Sequence, residues 1–350
     1  MRGPASILVV RWGRLGDLLL TAAATREMKR AWPEARIDLA VMEEYAEAAT
    51  LLPGIDRIVP FARGRGVVDF FRGRGDLRGP YDLAFDLHGN LRARALLAVV
   101  RPRRVFRYER LVRERRRLVR TKKGKGGDFP PVWRRYVGAV ARAGADVLDD
   151  PPALALPEGA GGEGAIAFAP GAGRPTKRWP AARFAEAARL LAGEGRPILL
   201  VGAAAERPLL EEIARESGAN PEILAGAPIP ETAARLRNAS VLLTNDSGLM
   251  HLAAGAGTSV VALFGPTVPE LGFPPAGEGH MVLSRNLPCR PCSLHGGDVC
   301  PLPDRSHACL VDIPAEEAAG AARAILRDSP PALGYHGRTS IAKEESGLDG

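Results

Sequence analysis

Apolar residues run unbroken from Ile7 to Val10, and Gly13 and Gly16 interrupt the chain before a helix-like segment from Asp17 to Trp32. So short and continuous an aliphatic run fits a strand buried on both faces, and the opening reads as strand, loop and helix. The signal returns over Ile37 to Met42, Ile55 to Val59 and Leu83 to Leu87, at intervals long enough for helices in between. That rhythm predicts βαβ units and a parallel sheet. Trp133 to Ala143 has the spacing of an amphipathic helix, with Gly144 where it would stop. From Asp149 to Gly164, Pro, Gly and Ala dominate with little to bury, which marks a linker.

Beyond the linker the rhythm begins again. Ala165 to Ala169, Pro197 to Val201, Val241 to Thr244 and Ser259 to Phe264 read as strands. Ala181 to Ala192, Glu206 to Glu216, a segment opened by Pro230 and Glu231, and Ser247 to Gly255 read as helices. The chain therefore divides into two α/β domains of Rossmann type, residues 1–155 and 156–328, followed by a tail over 329–350 with the composition of a disordered end. Its 350 residues agree with that division, because one hydrophobic core seldom organises so many. Open parallel sheets bind ligands at the carboxyl ends of their strands, so the cleft between the domains is where chemistry is expected.

Composition changes the picture mainly through charge. A hydrophobic content of 46% excludes a disordered or collagen-like chain. The apolar core of Ser6 to Val10 is too short for a secretory signal, and no window approaches a membrane span, so a soluble, cytoplasmic protein is expected. The net charge of +8 suggests an anionic partner, but it is not evenly spread. Between Arg101 and Lys125 thirteen Lys or Arg face only Glu109 and Glu114, a local +11 that leaves the rest of the chain at −3. That run reads either as a solvated, mobile charge block or as a basic surface that meets phosphates. Arg63, Arg65, Arg72, Arg74 and Arg78 add a second Arg- and Gly-rich stretch to the same half.

Four strand ends carry candidate chemistry. Asp17 follows Gly13 and Gly16 where the first strand hands over to the first helix; it is either a helix cap or a carboxylate facing the cleft, able to take a proton from a substrate hydroxyl. Gly171, Ala172 and Gly173 follow the first strand of the second half, with Thr176 and Lys177 just beyond. Small residues let a phosphate approach backbone N–H groups and Lys177 supplies a point charge; the alternative is a Gly-rich turn with solvated bases. Asp246, Ser247, Gly248, Leu249 and His251 bridge another strand end to a helix start, where freed N–H groups would cradle a diphosphate. Gly265 and Thr267 end the next strand at the same edge of the sheet.

The runs Arg11 to Asp17, Pro170 to Pro180, Asn245 to Ala253 and Phe264 to Thr267 resemble the family 9 glycosyltransferases, the heptosyltransferases of lipopolysaccharide inner-core assembly, and the likeness extends from about residue 5 to 326. The resemblance implies a GT-B fold and inverting transfer of a heptose from ADP-heptose without a catalytic metal. It implies Asp17 as catalytic base, Lys177 as diphosphate-binding lysine and Glu231 as the acid that holds the nucleotide ribose. It also implies a nucleotide-sugar loop of Asp246, Ser247, Gly248 and His251, with Lys177 and His251 stabilising the departing diphosphate. Where some members carry hydroxyl residues before the lysine this chain has Ala172 and Gly173, which shifts phosphate contact to backbone N–H groups or Thr176. The acceptor is expected to be an anionic, lipid-linked saccharide such as the Kdo region of a growing core. It would meet Gly13, Gly16, Arg63, Arg101 and Arg104 on a monomeric enzyme lying peripherally on the inner membrane.

Cys289, Cys292, Cys300 and Cys309 are all of the chain's cysteines and lie within 21 residues, with His295 and His307 among them. The set permits a structural zinc site, although the second pair lacks close spacing, or reduced thiols that stabilise a loop. A cytoplasmic setting disfavours disulfides. Two other functions fit parts of the chain: a two-domain enzyme using a UDP-sugar, as transferase or epimerase, and a nucleic-acid binder using residues 101–125. The second leaves Asp246 to His251 without a role.

Overall fold

The computed structural model describes residues 3–62, 77, 79–122, 129–156 and 164–328. Arg63, Arg65, Arg72, Arg74, Arg78, Lys123, Lys125 and the tail over 329–350 lie outside them.

The first sheet is built from β1 (Ser6–Val10), β2 (Arg36–Met42), β3 (Arg57–Phe61), β4 (Leu83–Asp86) and β5 (Arg104–Arg107), all parallel in the order β3-β2-β1-β4-β5. Every residue of β1 is buried, because helices cover both faces of the sheet, as parallel sheets require. Ile7 and Val9 face one apolar cluster with Met28 and Tyr136; Leu8 and Val10 face the other with Phe61 and Leu96. The helix-like segment after β1 is two helices, α1 (Leu15–Leu19) and α2 (Ala22–Ala31). Between them the Thr21 hydroxyl donates back to the Leu18 carbonyl at 2.6 Å, a local bond that competes with the helical ladder. Among the described residues, the remaining helices of this half are α3 (Ala46–Ala49), α4 (Leu91–Val100), α5 (Val112–Thr121) and α6 (Val132–Arg142). Gly144, at φ +98°, ends α6 in a conformation that favours glycine.

The second sheet repeats the design with β6 (Ile166–Ala169), β7 (Ile198–Gly202), β8 (Glu222–Ala225), β9 (Val241–Asn245), β10 (Val260–Phe264) and β11 (Met281–Ser284), in the order β11-β10-β9-β6-β7-β8. Its helices are α7 (Ala181–Leu191), α8 (Arg207–Ser217), α9 (Ile229–Arg237), α10 (Gly248–Ala256), α11 (Ala308–Val311) and α12 (Ala315–Asp328). Strand order reverses between β1 and β4 in one sheet and between β6 and β9 in the other. These reversal points are where doubly wound sheets open a crevice, and the loops after β1, β6 and β9 carry the sequence motifs.

The two halves meet through small residues. A Cβ on Gly16 would stand 2.5 Å from the His251 ring, and one on Gly248 would stand 3.0 Å from Leu15, so α1 and α10 cross closely through these two glycines. Leu19 and Leu51 of the first half pack into the same apolar cluster as Met250 and Leu252 of the second. The expected linker is not idle: the Leu154 N–H donates to Gly255 O and the Ala155 N–H to Leu51 O, each at 2.8 Å, tying it to both halves. The basic run is also part of the fold, since it holds β5 and α5 and buries Arg115 and Leu118.

Candidate active site

A cavity of about 550 Å³ opens between the halves, lined by the loops that follow β1, β6 and β9. Asp17 stands on its first-domain wall, in the first turn of α1. Its carboxylate makes no cap to that helix; it pairs with the buried Arg11 guanidinium at 2.8 Å. Arg11 also donates to Leu87 O at 2.7 Å, which locks its orientation. The acid is thus held at the strand edge with part of its surface open to the cavity.

The opposite wall brings together a cation, its carboxylate partner and the start of a helix. Lys177, ending a short 3-10 turn (Pro175–Lys177), pairs with Asp246 at 2.6 Å, and Thr267 donates its hydroxyl to the same Asp246 oxygen at 2.6 Å. Asn245, wholly buried, donates to Pro170 O at 2.7 Å and accepts the Trp179 N–H at 3.0 Å, so this residue of the motif staples the two loops together. Ser247 precedes α10 in an extended conformation without capping it by its side chain, which leaves the first N–H groups of the helix facing the cavity beside Gly248 and Leu249. Burial pushes the His251 ring down to about 4, so at neutral pH it is an uncharged imidazole. It can offer a hydrogen bond to a leaving group, but not a positive charge.

Gly171, Ala172 and Gly173 line the cavity with Lys177. Gly171 makes room for Glu206: a Cβ would fall 2.0 Å from that carboxylate, which accepts the Ala203 N–H at 2.9 Å and lines the same wall. Glu206 is a site residue that sequence reasoning read as the start of a helix. Glu231, expected on the ribose, is exposed and does not line the cavity. Ile229 and Thr232 of α9 do, three positions apart on one helical face, and Glu231 falls on another.

The structure also places several other expected residues outside the cavity lining. Thr176 is buried and does not line the cavity, its hydroxyl donating to Gly297 O at 2.7 Å. Gly265 faces Leu310, and its carbonyl is taken by Arg290. Gly13 makes room for Tyr45, whose ring a Cβ would meet at 2.2 Å, while Gly16 does line the cavity. Arg101 and Arg104 are exposed and do not line it; Arg104 covers the Phe106 ring. The four cysteines line a separate cavity of about 120 Å³ with His307. All four are free, and burial together with neighbouring thiols raises Cys292 to about 11. Among the described residues no three His, Cys, Asp or Glu side chains gather into a group that could hold a metal ion. The stretch is fixed instead by Arg290, which donates to the carbonyls of Phe264 and Thr267 at 3.0 and 2.9 Å, and by the Cys292 N–H on Pro266 O at 2.8 Å.

Arginines that the sequence pattern did not single out collect near Asp17. Arg115 on α5 and Arg135 on α6 are both more than nine-tenths buried. Each has Nε and Nη2 without a hydrogen-bond partner among the described residues. Burial holds both below the usual guanidinium range, and each feels the other or Asp17. Arg115 lies over Phe273, itself a cavity residue.

The sequence pattern of "Glycosyltransferase family 9 (heptosyltransferase)" matches residues 72–297. The chain belongs to glycosyltransferase family 9. Lipopolysaccharide heptosyltransferase 2 of Salmonella typhimurium is 30% identical over 302 residues, covering 77% of this chain and 85% of that one. In fold, the chain resembles a family 9 glycosyl transferase from Veillonella parvula, with a TM-score of 0.77, 21% identity and coverage of 93% and 98% of the two chains. It also resembles the ADP-heptose lipopolysaccharide heptosyltransferase II of E. coli, with a TM-score of 0.72, 23% identity and coverage of 92% and 99%. The two sheets across a cleft are the GT-B fold, and this family 9 member is a glycosyltransferase.

Proposed function

We propose that the enzyme transfers a heptose from ADP-heptose to an anionic, lipid-linked sugar of the lipopolysaccharide inner core, by a single displacement with Asp17 as base. The observation that carries this reading is the cavity itself, with an acid on one wall and a cation and a helix N-terminus on the other. In that reading the Asp17 carboxylate takes the proton of an acceptor hydroxyl as its oxygen forms a bond to C1 of the heptose. The bond from C1 to the diphosphate oxygen breaks, and its electron pair leaves with ADP. Lys177, the N–H groups that open α10 and a hydrogen bond from neutral His251 meet the charge that grows on the diphosphate. Glu206, already accepting the Ala203 N–H, has lone pairs left for the ribose hydroxyls.

The unpartnered guanidinium atoms of Arg115 and Arg135 support an acceptor that brings a carboxylate or phosphate, since a buried cation without an anion is costly until one arrives. Arg113, Arg116, Arg117 and Arg120 on the outer face of α5 are exposed, which supports peripheral contact with an anionic leaflet. Among the described residues no helix is long and apolar enough to cross a membrane. Incubation with ADP-heptose and a Kdo-bearing acceptor tests the reading. The expected product is heavier by a heptose residue, with ADP released in equal amount; transfer from UDP-sugars instead would contradict it.

A further inference from the structure

The cavity has a third wall that belongs to neither sheet. Residues 293–297 leave the cysteine-bearing stretch and lie across Lys177: a Cβ on Gly296 would stand 3.0 Å from Lys177 Cγ and 3.2 Å from Cε, so the backbone rides on the lysine's methylenes. The segment is pinned on both sides. The Thr176 hydroxyl donates to Gly297 O at 2.7 Å and accepts the Gly297 N–H at 2.9 Å, and Arg174 pairs with Asp298 at 3.0 Å. From this fixed strip Leu294 and His295 line the cavity together with Asp17 and Lys177.

His295 is exposed to the cleft yet surrounded by protein. Its ring makes no hydrogen bond among the described residues; only its backbone N–H does, to Ser293. Crowding by protein, and then the charges of Arg14 and Arg115, hold it below the usual histidine range. Asp17 and Lys177 lie within electrostatic reach as well, and the ring shares one cavity with the acid of one domain and the cation of the other. A neutral imidazole offers one donor and one acceptor, a match for neighbouring hydroxyls.

We propose that His295 binds hydroxyls of the sugar carried by the nucleotide donor, so that the 293–297 wall reads the sugar while the loops after β6, β7 and β9 hold the nucleotide diphosphate. This rests on the donor reading above, in which the transferred sugar lies between Lys177 and Asp17.

Calorimetric titration of the wild-type protein, His295→Ala and His295→Gln with ADP and with ADP-heptose tests it. His295 is exposed, so truncation removes no core packing, and equal melting temperatures check that both variants are folded. For His295→Ala we expect ADP affinity to stay within about twofold and ADP-heptose affinity to fall about tenfold, the size of a lost hydrogen bond to a polar ligand. His295→Gln, which keeps a donor and an acceptor, should recover part of the loss. Equal losses for ADP and ADP-heptose would reduce His295 to a wall of the nucleotide site, and no loss for either would remove it from the site; both overturn the proposal. A wild-type protein that binds ADP-heptose no better than ADP and transfers nothing would instead fell the donor reading, so the two failures are distinct.

Discussion

The two walls of the cleft treat charge in opposite ways. On the second-domain wall Lys177 is matched in advance by Asp246, which Thr267 also holds. On the first-domain side Arg115 and Arg135 are buried with half-used guanidinium groups. A matched pair fixes the geometry of the empty site, whereas an unmatched buried cation favours a bound state that supplies an anion. In the proposed reading the donor wall is pre-formed, and the acceptor side is finished by its ligand.

The sharpest way to separate the walls is Asp17→Asn. Turnover should fall by about a thousandfold, within the range of a lost general base, with donor affinity unchanged by titration. Lys177→Ala should act on the other wall alone, weakening ADP binding by about a hundredfold in the same titration. It should also lower the melting temperature, because Asp246 is left buried without its partner. Arg115→Leu should do the reverse. The acceptor KM rises by about tenfold while the unliganded protein unfolds no more easily, since an incompletely paired buried charge has been replaced by an apolar side chain. A melting temperature that falls as far as that of Lys177→Ala would end the contrast between the walls.

The smallest effect concerns pH. His251 and His88 are both pushed down to about 4, first by burial, so the unfolded chain binds protons that the folded chain refuses. Stability from each is complete above the unfolded value near 6.5 and is lost as pH falls from there towards 4. From pH 6.5 to about 5.5 the loss should be about 1 kcal/mol for His251. Denaturant unfolding of His251→Gln should show a shallower decline over that interval than the wild-type protein.

The difference between the walls also explains what the sequence could reveal. Strands such as β1, β6 and β9 are short apolar runs buried on both faces, which stand out in any window, and the donor wall hangs on contiguous motifs at their ends. Lys177, Asp246 and Ser247 were readable because their neighbours in sequence are their neighbours in space. Arg115 and Arg135 sit on α5 and α6, which come together with the Phe273 loop behind the cavity, so no local pattern distinguishes buried Arg115 from exposed Arg113 or Arg116. Arg101 and Arg104 looked equivalent to it for the same reason. Glu206 and Glu231 posed the same difficulty on the opposite wall: each carboxylate lies near a helix start, and only the face that each start turns to the cavity separates them. The four cysteines are close in sequence and line one cavity, yet spacing could not say whether they would converge on a single point.

The central claim is a single displacement between these walls, and the anomeric configuration of the product tests it most directly. With ADP-heptose of β configuration and a Kdo-bearing acceptor, proton NMR of the product should show an α-linked heptose, as attack from the Asp17 side opposite the departing ADP requires. A β-linked product would mean retention and contradict the account.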